Sequence, residues 1–499
     1  MRASSVMHGL CPPVAGKLAR MFALHDLQGT AFERGRAHGQ RARAQVQGSR
    51  RCYAALFASC GVDWDQAQAR AAGFRDVIGN ASAAVLEEIE GIAAGSGCAV
   101  HEILALNCRT EILPPAPPPG DDGSAARRAQ QHNAALGLFG LGECTALAVQ
   151  GSRCADGHTR VAQNWDWLGA QRAHVLLLRV RRTDGPDYLT LTEAGIVAKI
   201  GINAAGLAVG LNILRAHNDR TAIGVPVHVF QRLALDAADV PAVLARARGL
   251  RFAASSNAIL GDAAGHVAAL EYSINGVFAA PAHDGVVAHA NHFLGPDLAT
   301  HQLPPELMYD TLSRFDRARA ISAGWSGPVR DADIMALLRD GHLAKLDWLE
   351  EQGLLSLNND GTYVGSGGFG WTDELPQKDF DGRVRPCDMW GFGESQETVG
   401  VSPEMYAEFV LPYQLPILSR FGLNCYGCCE PLDKRWEYVK QIPRLRRVSV
   451  SPWSNRAFMA EQLGANYILS MKPNPADLAR DAFDEDKIRA ILRADMRTT

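Results

Sequence analysis

The chain has 499 residues, a length typical of about two or three domains. Its 50 Lys and Arg against 54 Asp and Glu give a net charge of −4, which argues against a polybasic nucleic-acid surface as the main function. Apolar residues at 47% and charged residues at 21% exclude global disorder. No apolar run approaches the ~18 residues of a membrane span, and the N-terminus lacks the apolar stretch of a secretory signal. We therefore expect a globular protein with neither a nucleic-acid partner nor a membrane partner.

Cysteine usage points to a reducing compartment. Eleven cysteines in 499 residues are too few for a disulfide scaffold, and without a secretory signal we expect reduced thiols in the cytoplasm. Most of them stand singly among small or apolar residues and are interpreted as buried hydrophobes. Those that call for a functional interpretation are Cys144 and the group Cys425, Cys428 and Cys429.

After an N-terminal extension over residues 1–21, the composition divides the first part of the chain into helices and then strands. Residues 33–97 are Ala-rich with helical spacing, and VLEEIEGIAAGSG predicts a helix that ends at its glycines. A Pro-rich, polar loop follows. Short β-type runs begin at CTALAVQ, and VAKIGINAAGLAVGLN predicts two strands joined by a turn. Helical segments, paired strands and another helix follow, an order that favours an α+β layered domain. The character changes again at 335–345, where we place a domain boundary.

Cys144 opens a strand directly after the Pro-rich loop, and several ordered motifs surround it. GECTALAV contains the cysteine and DGHTRVAQNWDW follows it, while GRAHG, EIEGIAAG and NCRTEI lie upstream and ANHF lies downstream. This set resembles the peptidase C45 family of acyl-coenzyme A:6-aminopenicillanate (isopenicillin N) acyltransferases. The resemblance covers about residues 22–340 and defines a first domain over 22–342. It implies an N-terminal-nucleophile (Ntn) hydrolase with a four-layer αββα fold.

The resemblance also implies a self-processing enzyme. The chain would cut itself between Glu143 and Cys144, and the thiol would then carry an acyl-thioester. The new terminal amine, with a pKa of roughly 7.7–8.0, would serve as the base. The acyl donor would be an acyl-CoA co-substrate or an amide, and the acceptor a small amine resembling 6-aminopenicillanate, or water. No other cofactor is implied, and the two cleavage fragments would stay associated as a heterodimer. Glu143 departs from the Gly that precedes the cysteine in well-known members, and the alternative for Cys144 is a buried strand thiol.

Two further residues match catalytic positions of the family. Asp166, in QNWDW, matches the carboxylate that lies beside the new amine, although a turn aspartate at a strand end is the alternative. Asn291, in ANHF, matches the asparagine whose amide helps to form the oxyanion hole, where a neutral donor stabilises developing negative charge. The alternative for Asn291 is a capping or turn residue.

Supporting roles are predicted for a second group of residues. Thr145 would orient the thiol or the scissile carbonyl, unless it is simply a strand former. Arg109 and Glu111, in NCRTEI, suit a loop anchor at least as well as a catalytic role. Ser313 and Arg314 fall where relatives carry a serine near the nucleophile. The histidines show no pair at metal-ligand spacing, so no metal is predicted in this domain.

The last part of the chain, residues 343–499, carries a different resemblance. VSPEMYAEFVLPYQLPIL and CYGCCEPLDKRW are similar to segments of the uroporphyrinogen decarboxylase-like superfamily, which includes corrinoid-dependent methyltransferases and has a (β/α)8 barrel fold. A barrel needs ~250 residues, whereas this segment has 157. We therefore expect a partial barrel, in which Cys428 is a weak metal candidate because a zinc site needs at least about three protein ligands. The alternatives to acyl transfer are decarboxylation or methyl transfer by this segment, or an inactive fusion.

Overall fold

The computed structural model describes residues 23–114, 144–303, 311–365, 368–474 and 485–498. The predicted N-terminal extension, most of the Pro-rich loop and Glu143 lie outside these ranges. The chain divides into two compact units, Met1–Gly341 and His342–Thr499. The helix Asp331–Glu351 runs through the range 335–345 without a break. Among the described residues no helix is both long and apolar enough to cross a bilayer.

Helices come first in unit 1. After strand β1 (Ala23–Leu27), the first helical group is α1 (Ala31–Arg41), α2 (Arg43–Ser59), α3 (Trp64–Ala72), α4 (Arg75–Ala81), α5 (Ala83–Ser96) and α6 (Val100–Asn107). The predicted end of the VLEEIEGIAAGSG helix is confirmed, since α5 stops at Gly97 in the left-handed conformation, with φ of 76°.

Strands follow. They are β2 (Cys144–Val149), β3 (Arg160–Trp165), β4 (Val175–Val180), β5 (Tyr188–Glu193), β6 (Ile200–Asn203), β7 (Ala208–Val209), β8 (Asn212–Ile213), β9 (Ser256–Gly261), β10 (Val267–Ser273), β11 (Gly276–Ala280) and β12 (Val286–His289). Helices α7 (Val227–Ala234) and α8 (Val240–Arg248) lie between β8 and β9. After β12 come α9 (Pro296–Ala299), α10 (Thr311–Ala323) and α11 (Asp331–Glu351). The predicted turn between β6 and β7 is confirmed, because the two strands pair antiparallel.

The strands of unit 1 form two sheets in the described part of the chain. The larger has nine strands in the order β1-β4-β5-β6-β7-β9-β10-β11, with β8 also paired to β9. The smaller has the order β12-β2-β3, and both of its pairings are antiparallel. The fold is thus mixed α/β with several sheets, as the α+β prediction required.

Strand β2 lies at the centre of the smaller sheet and is buried on both faces. Its alternate residues Ala146 and Ala148 belong to one apolar cluster with residues of β9, β10 and β11. Leu147 and Val149 point the other way, because side chains alternate along a strand, and pack with residues of α10 and α11. A third and larger core joins the N-terminal helices, α7 and α8 to the larger sheet. By the same alternation, Cys144 faces the larger sheet and Thr145 faces α10.

Unit 2 contains a hairpin and a parallel sheet. Its elements are β13 (Asp360–Gly365), β14 (Gly368–Trp371), β15 (Trp390–Gly393), α12 (Pro403–Phe409), α13 (Leu411–Leu418), β16 (Leu423–Tyr426), α14 (Trp436–Val439), β17 (Leu445–Val450), α15 (Arg456–Leu463), β18 (Ile468–Met471) and α16 (Glu485–Thr498). Strands β15 to β18 pair in parallel in chain order, with helices between them. This confirms the predicted alternation of helix and strand, while the resemblance to a barrel superfamily stays a prediction.

Candidate active site around Cys144

Cys144 is the first residue of β2, and its main chain is held by side chains from distant parts of the sequence. Its backbone N–H donates to the side-chain oxygen of Asn291 at 2.7 Å. Its carbonyl oxygen accepts from Nη1 of Arg314 at 2.7 Å. The residue is 1% exposed. The peptide nitrogen and carbonyl of the predicted nucleophile therefore both have fixed partners.

Arg314 connects the residues of this cluster. Nη1 also donates to the hydroxyl of Thr145 at 3.0 Å, and Nη2 donates to the side-chain oxygen of Asn291 at 2.9 Å. A planar guanidinium has donors in a fixed fork, which suits several acceptors at once better than a point charge would. Arg314 lies on α10, the helix that the strand alternation places opposite Thr145. Ser313 precedes it on the same helix and is half-buried.

Asn291 is oriented by the elements on either side of it. Its side-chain NH₂ donates to the carbonyl of Ile213 in β8 at 3.0 Å, and its backbone N–H donates to the hydroxyl of Thr311 at 2.7 Å. The strand before Asn291 is fixed as well. Nε2 of His289, the last residue of β12, lies 2.7 Å from a carboxylate oxygen of the buried Glu271. The amide thus directs its oxygen towards Cys144 and its nitrogen towards β8. The predicted oxyanion-hole role of Asn291 would need the amide N–H to face the acyl oxygen instead.

Asp166 follows the last residue of β3. In the register of β2 and β3, Cys144 is the Cα partner of Trp165, so Asp166 comes directly after the residue opposite the nucleophile. Its carboxylate is close enough to raise the pKa of the thiol electrostatically. The structure thus brings Asp166 and Cys144 together through one strand pairing.

The thiol of Cys144 is kept in its neutral form. Burial raises its pKa to about 11, and the negative charge of Asp166 adds to this effect. The positive charge of Arg314 and backbone hydrogen bonds from Asp166 and Ile213 act in the opposite direction. Since the thiolate is the reactive form, a thiol in this setting needs a nearby base to act as a nucleophile.

Arg109 and Glu111 lie in the turn after α6, and their described contacts lead to other groups than Cys144. The guanidinium of Arg109 lies 4.1 Å from the ring centroid of Trp167. Glu111 accepts the backbone N–H of Val227 at 2.8 Å, at the start of α7. Burial raises the pKa of Glu111 to about 7, against the lowering effect of that hydrogen bond. The contact of Glu111 is that of a loop anchor.

Cys428, the weak metal candidate of unit 2, follows β16. Its Sγ lies 3.7 Å from Sγ of Cys429, and its backbone N–H donates to Glu430 at 2.7 Å. The described residues contain no group of three or more His, Cys, Asp or Glu side chains arranged to hold a metal ion.

Sequence reasoning missed several residues that shape the site. Ile213 contributes only main-chain groups, which no motif marks. Gln163 in β3 receives the N–H of Leu211 at 2.7 Å and donates to its carbonyl at 3.3 Å, which ties β3 to the segment before β8. Lys199 is completely buried beside Trp165. Its position in an ordinary strand-like run gave no sign of burial.

Comparison with known proteins finds similarity to acyltransferases over part of this chain. The family model for acyl-coenzyme A:6-aminopenicillanic acid acyl-transferase matches residues 153–353, a range that includes Asp166, Asn291 and Arg314 and begins after Cys144. The 40 kDa form of acyl-coenzyme A:6-aminopenicillanic-acid-acyltransferase from Emericella nidulans is 30% identical over 246 residues. The alignment covers 48% of this chain and 60% of that protein, so the chain spans less than two thirds of the relative. A penicillin V acylase structure from Agrobacterium tumefaciens shares 15% identity over 40% of this chain and 64% of that chain, with a TM-score of 0.20.

Proposed function

We propose that this chain is a self-processing cysteine acyltransferase or amidohydrolase of the Ntn type. The observation that carries the proposal is the convergence of Asn291 and Arg314 on the main chain of Cys144. A buried strand thiol with a purely structural role would not need its N–H and C=O held by side chains. The match to acyl-coenzyme A:6-aminopenicillanic acid acyl-transferases over residues 153–353 supports the same class.

The first proposed reaction is cleavage of the chain before the nucleophile. The Cys144 thiol loses its proton and attacks the carbonyl carbon of Glu143, the peptide C–N bond breaks, and the nitrogen takes up a proton. This moves the acyl group of residues 1–143 from nitrogen to sulfur. Water then hydrolyses the thioester, which releases a carboxylate on Glu143 and the thiol of Cys144, whose amine the acyl shift has already freed. Asn291 supports this step because it fixes the nitrogen of the bond that breaks.

The second proposed reaction uses the amine that cleavage releases. With a pKa of roughly 7.7–8.0, the amine accepts the thiol proton near neutral pH without a histidine. The thiolate attacks the carbonyl of an acyl-CoA or an amide and forms an acyl-thioester on Cys144, with coenzyme A thiol or an amine as the leaving group. A small amine resembling 6-aminopenicillanate, or water, then takes the acyl group. Asp166 holds the amine, and no cofactor is required, since acyl-CoA is a co-substrate.

The proposal extends to the architecture and the processed form. Three of the apolar clusters of unit 1 support a helix, sheet, sheet, helix order, which is the four-layer αββα arrangement. Strand β1 pairs in parallel with β4, although the two lie on opposite sides of the proposed cleavage site. The large core also combines residues from both sides. We therefore propose that the fragments stay together as a heterodimer after cleavage.

Mass measurement of the purified protein tests the proposal. Wild-type protein is expected to give fragments of 143 and 356 residues, together with release of coenzyme A thiol from acyl-CoA donors. Cys144→Ala is expected to stay intact and inactive, because no thiol remains for either step. Cys144→Ser is expected to cut slowly, since a hydroxyl is a weaker nucleophile in the same geometry. An active wild-type protein that remains uncut between 143 and 144 would refute the amine as the base.

A further inference from the structure

A buried charged cluster lies beside the two tryptophans that flank Asp166. Lys199, just before β6, forms an ion pair with Glu193 at the end of β5, and both side chains are completely buried. Nε of Arg109 lies 3.9 Å from the same Glu193 carboxylate. Two cations against one carboxylate leave a net positive charge in the interior of unit 1. We call Lys199, Glu193 and Arg109 the buried charge cluster.

Lys199 contacts the residue that lies opposite Cys144 in the smaller sheet. Its Nζ lies 4.1 Å from the ring centroid of Trp165, close enough for a cation–π interaction. Trp165 is the Cα partner of Cys144 in the pairing of β2 with β3. Directly opposed residues of antiparallel strands have Cα atoms about 4.5–5.5 Å apart. The ammonium group is therefore a neighbour of the residue opposite the thiol.

Arg109 and Glu193 hold the residue on the other side of Asp166. The Arg109 guanidinium lies 4.1 Å from the ring centroid of Trp167, and the indole N–H of Trp167 donates to Glu193 at 3.0 Å. The hydroxyl of Tyr53 also donates to Glu193, at 2.5 Å. A tryptophan fixed on each side restricts where the Asp166 carboxylate can lie.

We propose that the buried charge cluster is a charge-balancing element for the Cys144 centre. It contacts Trp165 and Trp167 on either side of Asp166, and Lys199 is close enough to Cys144 to interact with it electrostatically. The inference rests on the function proposed above, because it assigns a role within that site. The three residues touch no reacting atom and act through their charge.

The charge balance follows from the groups that face Cys144. Asp166 favours the neutral thiol and a protonated amine, and both forms are unreactive. Arg314 opposes this effect on the thiol. The net charge of the buried charge cluster adds to that of Arg314, because a nearby cation favours a thiolate over a thiol and a neutral amine over an ammonium.

The titratable groups that face Lys199 determine the charge that it contributes. Burial lowers the pKa of Lys199 to about 7, and the charge of Glu193 opposes this shift while that of Arg109 adds to it. Burial would raise the pKa of Glu193, yet Lys199 and Arg109 outweigh it, so the carboxyl is ionised. His228 stays neutral, since burial and the same two cations lower its pKa well below its usual range. Below about pH 7 the cluster therefore carries one net positive charge.

Variants that differ in net charge separate electrostatics from packing. Lys199→Met removes the positive charge and leaves the cluster neutral. The double variant Lys199→Met with Glu193→Gln deletes the whole ion pair but returns the net charge to that of the wild type, through Arg109. Replacement of both members of a buried ion pair is commonly tolerated, whereas removal of one leaves an uncompensated charge. Lys199→Arg keeps the charge and the ion pair.

The experiment measures how fast iodoacetamide alkylates Cys144 in the full chain at about pH 6.5, by peptide mass spectrometry. The alkylation ratio is this rate divided by the rate at Cys108. Cys108 is completely buried in the same unit, so its labelling reports opening of the fold. We expect Lys199→Met to lower the ratio about tenfold, equivalent to one pKa unit. The double variant and Lys199→Arg are expected to restore it. Lys440→Met, which breaks an exposed ion pair with Glu437, is the matched control and is expected to leave the ratio unchanged.

The outcomes separate this inference from the proposed function. An unchanged ratio in Lys199→Met, or an equally low ratio in the double variant, overturns the inference, because packing alone would then explain the cluster. A wild-type Cys144 that is alkylated no faster than Cys108 overturns it as well. Failure of the proposed function shows itself separately, as a wild-type chain with neither cleavage before Cys144 nor acyl-thioester formation. The alkylation ratios do not depend on turnover and still rank the variants in that case.

Discussion

The side-chain oxygen of Asn291 accepts the backbone N–H of Cys144 at 2.7 Å, across 147 residues of sequence. In the uncut chain this nitrogen belongs to the peptide bond that we propose to break, and in the cut chain it would be the free amine. One acceptor would therefore serve the same atom in both states. The sequence resemblance assigned Asn291 to the oxyanion hole, and that role stays a prediction beside the contact that the structure describes.

Asn291→Ala is expected to slow cleavage before Cys144 by about two orders of magnitude. The change leaves the N–H of Cys144 and a guanidinium N–H of Arg314 buried without this acceptor, at a cost of about 1–3 kcal/mol per unsatisfied group. A time course of intact mass after expression measures the rate. Asn275→Ala, which removes an exposed side-chain pair with Asn218, is the control and should cut at the wild-type rate. Equal rates for the two variants would contradict the assigned contact.

Arg314→Lys is expected to reduce cleavage and acyl transfer by roughly tenfold, and Arg314→Met by more. A lysine retains the charge but lacks the planar fork that reaches the Cys144 carbonyl, Thr145 and Asn291 together. Thiol release from acyl-CoA and the fraction of cut chain measure the two activities. Arg317→Lys, on the same helix and paired with Asp340 at the surface, is the matched control. Full activity in Arg314→Lys would mean that charge alone is required.

Glu111→Gln is expected to stabilise the protein at about pH 8 and not at about pH 4. The folded state raises the pKa of this carboxyl to about 7, from 4.5 in the unfolded chain, chiefly through burial. Stability is therefore lost as the pH rises through this interval, by up to about 3 kcal/mol, and a glutamine avoids the loss. Thermal melting at several pH values measures it.

Glu102→Gln is a control for this pH dependence, because its effect on stability should have the opposite sign. Burial would raise the pKa of Glu102, but the hydrogen bonds from Arg50, the Ala99 backbone and Trp64, with the charge of Arg50, together outweigh burial and lower it. Its replacement should therefore destabilise the protein at neutral pH, with the effect fading as the pH falls through the lowered pKa. A pH-independent change in Glu111→Gln would show that the carboxyl is not protonated in the folded state.

A chain that ends after residue 353 is expected to fold and to cut itself, whereas one that ends after residue 330 is not. Helix α11 places Ile334, Leu337 and Leu338 in the apolar cluster that covers Leu147 and Val149 of β2. Loss of these three side chains from the core costs about 1.5–3 kcal/mol each. Cooperative melting and intact mass distinguish the two chains. Loss of folding in the longer chain would show that the remaining residues are part of the same folding unit.

The local pattern of residues was enough to predict the order of elements in unit 1. Helical spacing, the glycine after α5 and the turn between β6 and β7 depend on neighbours within a few positions, and the structure agrees with all three. The pairing of β2 with β3 is also local, so the approach of Asp166 to Cys144 follows from one hairpin. Main-chain contributions such as that of Ile213 carry no residue signature and were not predicted.

The sequence by itself determined that Cys144 begins a strand, that Asp166 follows the next strand, and which segments are helices or strands. Only the tertiary structure decided that Arg314 reaches the carbonyl of Cys144 across 170 residues. It also decided that Lys199 is buried against Glu193 and Trp165. Burial of a lysine depends on the charge and the ring that the folded chain brings to it. These partners come from separate strands, so no periodicity along the chain encodes the contact.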